Sequence, residues 1–384
     1  MTAPAREIEL LGIPMAASNG RIDIYSGVSR MAGKVWGSLH RAATPSKTVV
    51  AVVHPASNFL GHYLLAPLAR RGVDAVGLTT RYIGNDSTLL MENCVLDIGA
   101  AIAFLRDRGY ERIVLVGNSG GGGLTALYQS QAESPSITHT PAGDPPDLTG
   151  ATLPPVDALV ELMAHPGRAI VFTEWLDPAI VDEHDPTRRD PDLDMFDPRN
   201  GPPYSPEFLA RYRAAQVARN RRITAWVREK LAELAKDPDG VQDLPFTVHG
   251  TGADPRFTDL TIEPSDREAG TMWGPAAHAN LMPASLAHFS SLRSWLSQWS
   301  IDESNCDGPL HLARTSVPTL VMYGTADQVC FPSHAQSLYD AVPHDDKKLL
   351  GVERGTHYLS GQPELMDQVT DTILSWLEST GVRA

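Results

Sequence analysis

Arg112-Ile113-Val114-Leu115-Val116-Gly117-Asn118-Ser119-Gly120-Gly121-Gly122-Gly123 decides how the rest of the chain is read. A charged residue leads into an unbroken apolar run, the run stops at Gly-Asn-Ser-Gly-Gly, and an Ala/Leu-rich segment follows. The pattern predicts a strand, an abrupt turn and a helix. Its centre fits G-x-S-x-G, in which a serine sits on a sharp turn between strand and helix. Side chains at Gly117 or Gly121 would strike the neighbouring strand or helix, and glycine tolerates the unusual dihedrals of such a turn. Ser119 then stands clear of the sheet at a helix N-terminus. There the N–H of Gly120 and the helix dipole favour a developing negative charge.

Working outward, apolar runs alternate with helical patterns. Lys47–Val53 reads as a strand buried on both faces, Val73–Leu78 as a short one, and Val156–Met163 as another. Helices are expected over His62–Arg70, with Pro67 weakening its first half, and over Glu92–Arg108, with Val95, Ile98, Ile102 and Leu105 on one stripe. Before these, Arg6–Leu11, Arg21–Tyr25 and Lys34–Leu39 are candidate strands, with a tight turn at Asn19-Gly20. Ser134–Pro155, rich in Pro, Gly, Asp and Thr, reads as a loop. Strand runs return at Pro318–Gly324 and Lys347–Gly351, and Glu364–Leu377 closes the chain as a helix. Such alternation implies a mostly parallel sheet with helices on both faces. In that architecture the chemistry lies at the carboxyl ends of the strands.

Those ends supply two more residues. Gly324-Thr325-Ala326-Asp327 follows one run and Gly355-Thr356-His357 follows the last. A serine hydroxyl is a poor nucleophile until an imidazole takes its proton, and a carboxylate must hold that imidazole in the right tautomer. Ser119, Asp327 and His357 appear in the order nucleophile, acid, base. Asp177, Asp182 and Asp185 stand as alternative acids, and His54, His165 and His334 as alternative bases. His54 and His165, each followed by proline, suit pocket or loop-holding roles better.

From these residues the chain resembles serine hydrolases of the α/β-hydrolase superfamily, of the esterase, lipase and thioesterase kind. The motifs that carry the resemblance are Gly117-Asn118-Ser119-Gly120-Gly121, Gly324-Thr325-Ala326-Asp327 and Gly355-Thr356-His357. The resemblance implies a mostly parallel eight-stranded sheet with helices on both faces and a mainly helical cap inserted between core strands six and seven. Residues 1–167 and 313–384 would form the catalytic core and 168–312 the cap. It also implies acyl-serine chemistry without a cofactor, and an oxyanion hole. Gly120 supplies one donor, and the second comes from the loop after Val53. Pro55 has no N–H, which leaves Ala56 first and Ser57 next. The family's usual His-Gly pair is His54-Pro55 here.

The expected function is hydrolysis of a carboxylic ester or thioester of a small to medium, largely apolar substrate. Rival readings are C–C bond hydrolysis or acyl transfer on the same triad, and a non-catalytic ligand-binding protein on the same scaffold. Substrate-binding candidates are His54, Ser57, Trp175 and Trp273. The cap aromatics Trp175, Phe196, Trp226, Trp273 and Trp295 either line a pocket or form the cap's own core. The arginines between Arg211 and Arg228 read first as a solvated face paired with acidic neighbours, and second as a holder of an anionic group. Asp182-Glu183-His184-Asp185 lacks an EF-hand spacing and its Asp-Pro punctuation reads as turn chemistry, so no metal is expected.

A net charge of −14 over 384 residues speaks against nucleic acid or an anionic membrane surface as the main partner. No apolar run approaches the ~18 residues of a membrane span. The N-terminal Met1–Glu9 stretch carries no signal-peptide pattern. Three scattered cysteines, Cys94, Cys306 and Cys330, fit a reducing, cytoplasmic setting. A small-molecule substrate is the expected partner, and a homodimer is left open.

Overall fold

The computed structural model describes residues 7–15, 33–283 and 285–383. The expected strand at Arg21–Tyr25 and the Asn19-Gly20 turn lie outside the described residues. Eight strands form one sheet: β1 (Ile8–Pro14), β2 (Lys34–His40), β3 (Thr48–Val53), β4 (Asp74–Leu78), β5 (Arg112–Ser119), β6 (Ala158–Ala164), β7 (Thr319–Gly324) and β8 (Lys347–Val352). Their order is β1-β2-β4-β3-β5-β6-β7-β8. β2 runs antiparallel to both β1 and β4, and the remaining pairs are parallel. This is the mostly parallel sheet that the residue pattern implied, with the eight strands that the resemblance implied.

The continuous apolar runs exist because both faces of the central strands are covered. Val49, Ala51, Val53, Ile113 and Leu115 face one core with helices α2 (Met91–Asp107), α3 (Gly121–Glu133) and α6 (Pro332–Ala341). Val50, Val52, Val114, Val116 and Val160 face a second core with α1 (Leu65–Arg70) and α7 (Pro363–Ser379). α1 is shorter than expected, and Pro67 sits in its first turn, where no intrahelical N–H is required of it.

Between β6 and β7 the chain leaves the sheet. α4 (Arg168–Trp175) is followed by irregular backbone and then by α5 (Pro206–Leu234), one helix of 29 residues. Ser205 caps α5, its side chain accepting from the Phe208 N–H at 3.1 Å, and Pro206 takes the first helical position. Phe172, Ile223, Val227, Leu292, Trp295 and Trp299 form a core drawn from this segment. Shorter helices, turns and a two-stranded ribbon of Pro245–Thr247 and Phe289–Ser291 make up the rest of this helical insertion.

The tight point of the fold is where α3 begins. A Cβ on Gly121 would lie 2.3 Å from the Val53 carbonyl oxygen, and one on Gly117 would lie 2.4 Å from Thr125 Oγ1. Both glycines are therefore needed for close approach, as the sequence implied. Gly121→Ala is expected to force β3 and α3 apart and to cost ~1–3 kcal/mol. A urea titration checks it, and an unchanged midpoint would mean that the approach is not tight.

Candidate active site

Ser119 closes β5 and carries φ of 59°. A non-glycine residue in the left-handed region is strained, and such strain persists only where the surroundings hold it. Here they do. Asn118 is fully buried, its Nδ2 donating to the Leu162 carbonyl at 2.7 Å and its Oδ1 accepting from His62 Nε2 at 3.1 Å. The β5–β6 ladder shifts register at this point: Asn118 pairs with Leu162 and Ser119 with Ala164. Met163 is left as the extra residue, itself at φ of 41°. Gly120 is the N-cap of α3, so its N–H is among the donors a helix start leaves free.

Asp327 and His357 stand beyond the carboxyl ends of β7 and β8. His357 Nδ1 and Asp327 Oδ2 are 2.8 Å apart, with both side chains buried. The other oxygen of Asp327 accepts the N–H groups of Val329 at 2.7 Å and Cys330 at 3.0 Å. With Nδ1–H given to the carboxylate, the lone pair of the imidazole lies on Nε2. That atom is buried and has no protein partner among the described residues. Ser119 neighbours the hydroxyl of Tyr358, the residue after His357. Burial pushes that hydroxyl up to about 12, despite the opposing effect of Ser119.

The alternative acids lie elsewhere. Asp177 binds Arg189 at 3.0 Å and Asn280 at 2.7 Å, Asp182 binds Arg188, and Asp185 turns back on Thr187. Of the alternative bases, His334 binds Glu174 at 3.0 Å. Burial pushes Glu174 up, but the His334 hydrogen bond and the Arg256 charge together outweigh it and hold the carboxyl at about 2. His54 and His165 both flank Gly120. Burial, then neighbouring positive groups, lowers both well below the usual histidine range, so both imidazoles are neutral.

The loop after β3 departs from expectation. The Ala56 N–H donates to His54 Nδ1 at 3.1 Å, and the same nitrogen accepts the Ser57 N–H at 2.8 Å. The amide expected as second oxyanion donor is thus engaged within its own loop, and so is its runner-up. Nothing in the residue order signals this, because the ring's turn back onto its own chain follows from the loop's conformation.

Trp175 is buried with Phe257, Val329, Cys330 and Phe331, so it packs against the loop that carries Asp327. Trp273 stacks edge-on against it at 5.9 Å and remains 42% exposed. The arginines of α5 are paired: Arg213 with Asp254, Arg219 and Arg222 with Glu183, Arg221 with Asp302, and Arg228 with Glu303. Arg211 donates to the Asp192 carbonyl. Arg219 is itself buried on the helix's inner stripe and not on a solvated face. These pairs leave the second reading, an anion holder, without support. Among the described residues, Asp327, Cys330 and His357 form the one cluster with ligand atoms close enough for a metal, within 4.8 Å. Asp327 and His357 are already bonded to each other, and burial keeps Cys330 a thiol, so the set fits a metal poorly.

No family model matches the chain, and none of the curated proteins does. Solved structures do. A structure of DcsB in complex with its substrate analogue superimposes with a TM-score of 0.53 at 12% identity, covering 97% of this chain and 99% of that one. The esterase domain of a Rhodothermus marinus protein gives 0.47 at 12% identity, covering 97% and 98%. An α/β fold family hydrolase from Bacillus anthracis str. Sterne gives 0.44 at 13% identity, covering 97% and 99%. No helix among the described residues is long and apolar enough to cross a membrane.

The buried histidines set an acid limit. Burial lowers His62 from 6.5 to about 4, with the Asn118 hydrogen bond opposing. Its contribution to stability is complete above pH ~6.5 and is lost as pH falls towards ~4, because the unfolded chain takes up the proton first. The loss from His62 amounts to roughly 3 kcal/mol. Urea midpoints measured from pH 7 down to pH 4.5 should fall steeply in the wild type and less so in His62→Gln. Parallel slopes would assign the acid sensitivity to other groups.

Proposed function

This chain has the α/β-hydrolase fold, and we propose that it serves as a serine hydrolase of carboxylic esters or thioesters. The observation that carries the reading is the 2.8 Å pair of His357 and Asp327, which leaves a lone pair on the buried Nε2, beyond the carboxyl ends of the parallel strands where Ser119 also ends β5. Support also comes from the positive φ of Ser119 and from the N-cap position of Gly120.

In this reading Ser119 Oγ attacks the substrate's carbonyl carbon while its proton passes to His357 Nε2. Asp327 steadies the imidazolium that results. The carbonyl oxygen becomes an oxyanion and takes the Gly120 N–H. Collapse expels the alcohol or thiol, which leaves with the proton from His357. A water then gives a proton to His357 and attacks the acyl carbon. Ser119 recovers its proton as the acid departs.

Residues 168–312 act as a cap in this proposal, and 1–167 with 313–384 as the core. The separate cluster around Trp295 and Trp299 supports the division. The cap also bonds to the core near the site. The Asp266 N–H donates to the Thr325 carbonyl at 2.8 Å, and Glu174, itself paired with Arg256, bonds His334 at 3.0 Å. Trp273, 42% exposed and edge-on to Trp175, is the aromatic this proposal offers to an apolar substrate of small to medium size.

Ser119→Ala should abolish hydrolysis of p-nitrophenyl esters while circular dichroism stays native. Near-normal turnover would refute the serine mechanism. Asp327→Asn should lower kcat ~10³–10⁴-fold. Full activity in that variant would remove Asp327 from the triad.

A further inference from the structure

His54 occupies a place that the mechanism has not used. Its Nδ1 accepts two backbone N–H groups, from Ala56 at 3.1 Å and from Ser57 at 2.8 Å. A ring nitrogen that accepts carries no proton, so in the neutral imidazole the proton lies on Nε2. The tautomer is thus fixed by the loop itself. Phe59 packs against the ring at 5.5 Å. Nε2 has no protein partner among the described residues, and it approaches the residue after the serine. A Cβ built on Gly120 would lie 2.9 Å from it. Glycine at 120 is what lets the ring stand there.

We propose that the Nε2–H of His54, and not a backbone amide of the loop after β3, is the second donor to the oxyanion, working beside the Gly120 N–H. The inference rests on the serine hydrolase reading of Ser119. Its physical basis is that the amides of Ala56 and Ser57 are spent on Nδ1, which turns the loop's donor outward through the ring. A neutral imidazole whose proton is already directed needs no reorganisation as charge develops. Burial, and then the nearby Arg168 charge, hold His54 neutral, so the donor keeps its proton on Nε2. His165 Nε2 approaches the same point, at 3.4 Å, but no bond decides which of its nitrogens carries the proton. The assignment therefore goes to His54.

The test uses the full chain and a fluorophosphonate probe, whose phosphoryl oxygen gains charge as Ser119 is labelled. His54→Asn retains a side-chain oxygen near Nδ1, and so the hold on the loop, but removes the distal donor. His54→Gln places an amide N–H near Nε2 and gives up the hold. With a donor role, labelling of the Asn variant slows ~10²-fold or more and that of the Gln variant stays within ~10-fold of wild type. Equal rates in the two variants, or a faster Asn variant, overturn the proposal, because a loop-holding role predicts that order. Should the Asn variant not fold, the Gln variant decides alone: labelling within ~10-fold supports the donor, and a loss of ~10²-fold with native melting rejects it. Wild type that is not labelled at Ser119 would sink the hydrolase reading itself, before any variant is compared.

Discussion

The approach of α3 to the end of β3 is the contact on which the site depends. The Val53 carbonyl oxygen lies where a side chain on Gly121 would be, so the two elements meet backbone to backbone. That contact places the start of α3 beside His54, the residue that follows Val53. The same closeness brings the His54 ring against Gly120. Ser119, at φ of 59°, is held by what surrounds it: Asn118 tied to Leu162 and His62, and a register shift that leaves Met163 over. Strain of this kind costs of order 1–3 kcal/mol and survives where packing over-determines it.

Burial gives the site its electrostatic character. His54, His62 and His165 are all pushed towards the neutral form, chiefly by loss of water. Positive charge nearby belongs to Arg168, which is itself paired with Asp86 at 2.6 Å and stacked on Trp299. A neutral imidazole can accept at one nitrogen and donate at the other. That property lets His54 hold its loop and face Gly120 at once. Many charged groups of the 168–312 segment, by contrast, are taken up in pairs such as Arg219–Glu183 and Arg256–Asp254. They tie segments together, and Arg256 also stacks on Phe331, which packs with Trp175 beside the loop that carries Asp327.

Much of the core was legible because its signals are local. Six consecutive buried residues in β3 and seven in β6 read as strands covered on both faces. Ser119 ends the buried run of β5, Asp327 follows the mostly buried β7 and His357 follows the half-buried edge strand β8, so a rule about strand ends was enough to single out these three as candidates. The 168–312 segment was less legible. Its helices are joined by long irregular stretches, and a stripe of arginines on α5 carries no mark of which ones find carboxylates. Arg219 looked like surface and is buried, because Glu183 and the carbonyls of Asp177 and His249 reach it from remote turns.

By itself the sequence determined the sheet, the order of the three residues and the need for glycine around the serine. Periodicity and steric limits act over a few residues, so they are written where they act. Only the tertiary structure decided which donors are free. The N–H of Ala56 is present in any reading of the chain, but the His54 ring takes it at 3.1 Å. A hydrogen bond is used up by whichever partner the fold brings nearest, and that choice depends on the packing of β3, α3 and the loop between them and not on residue order.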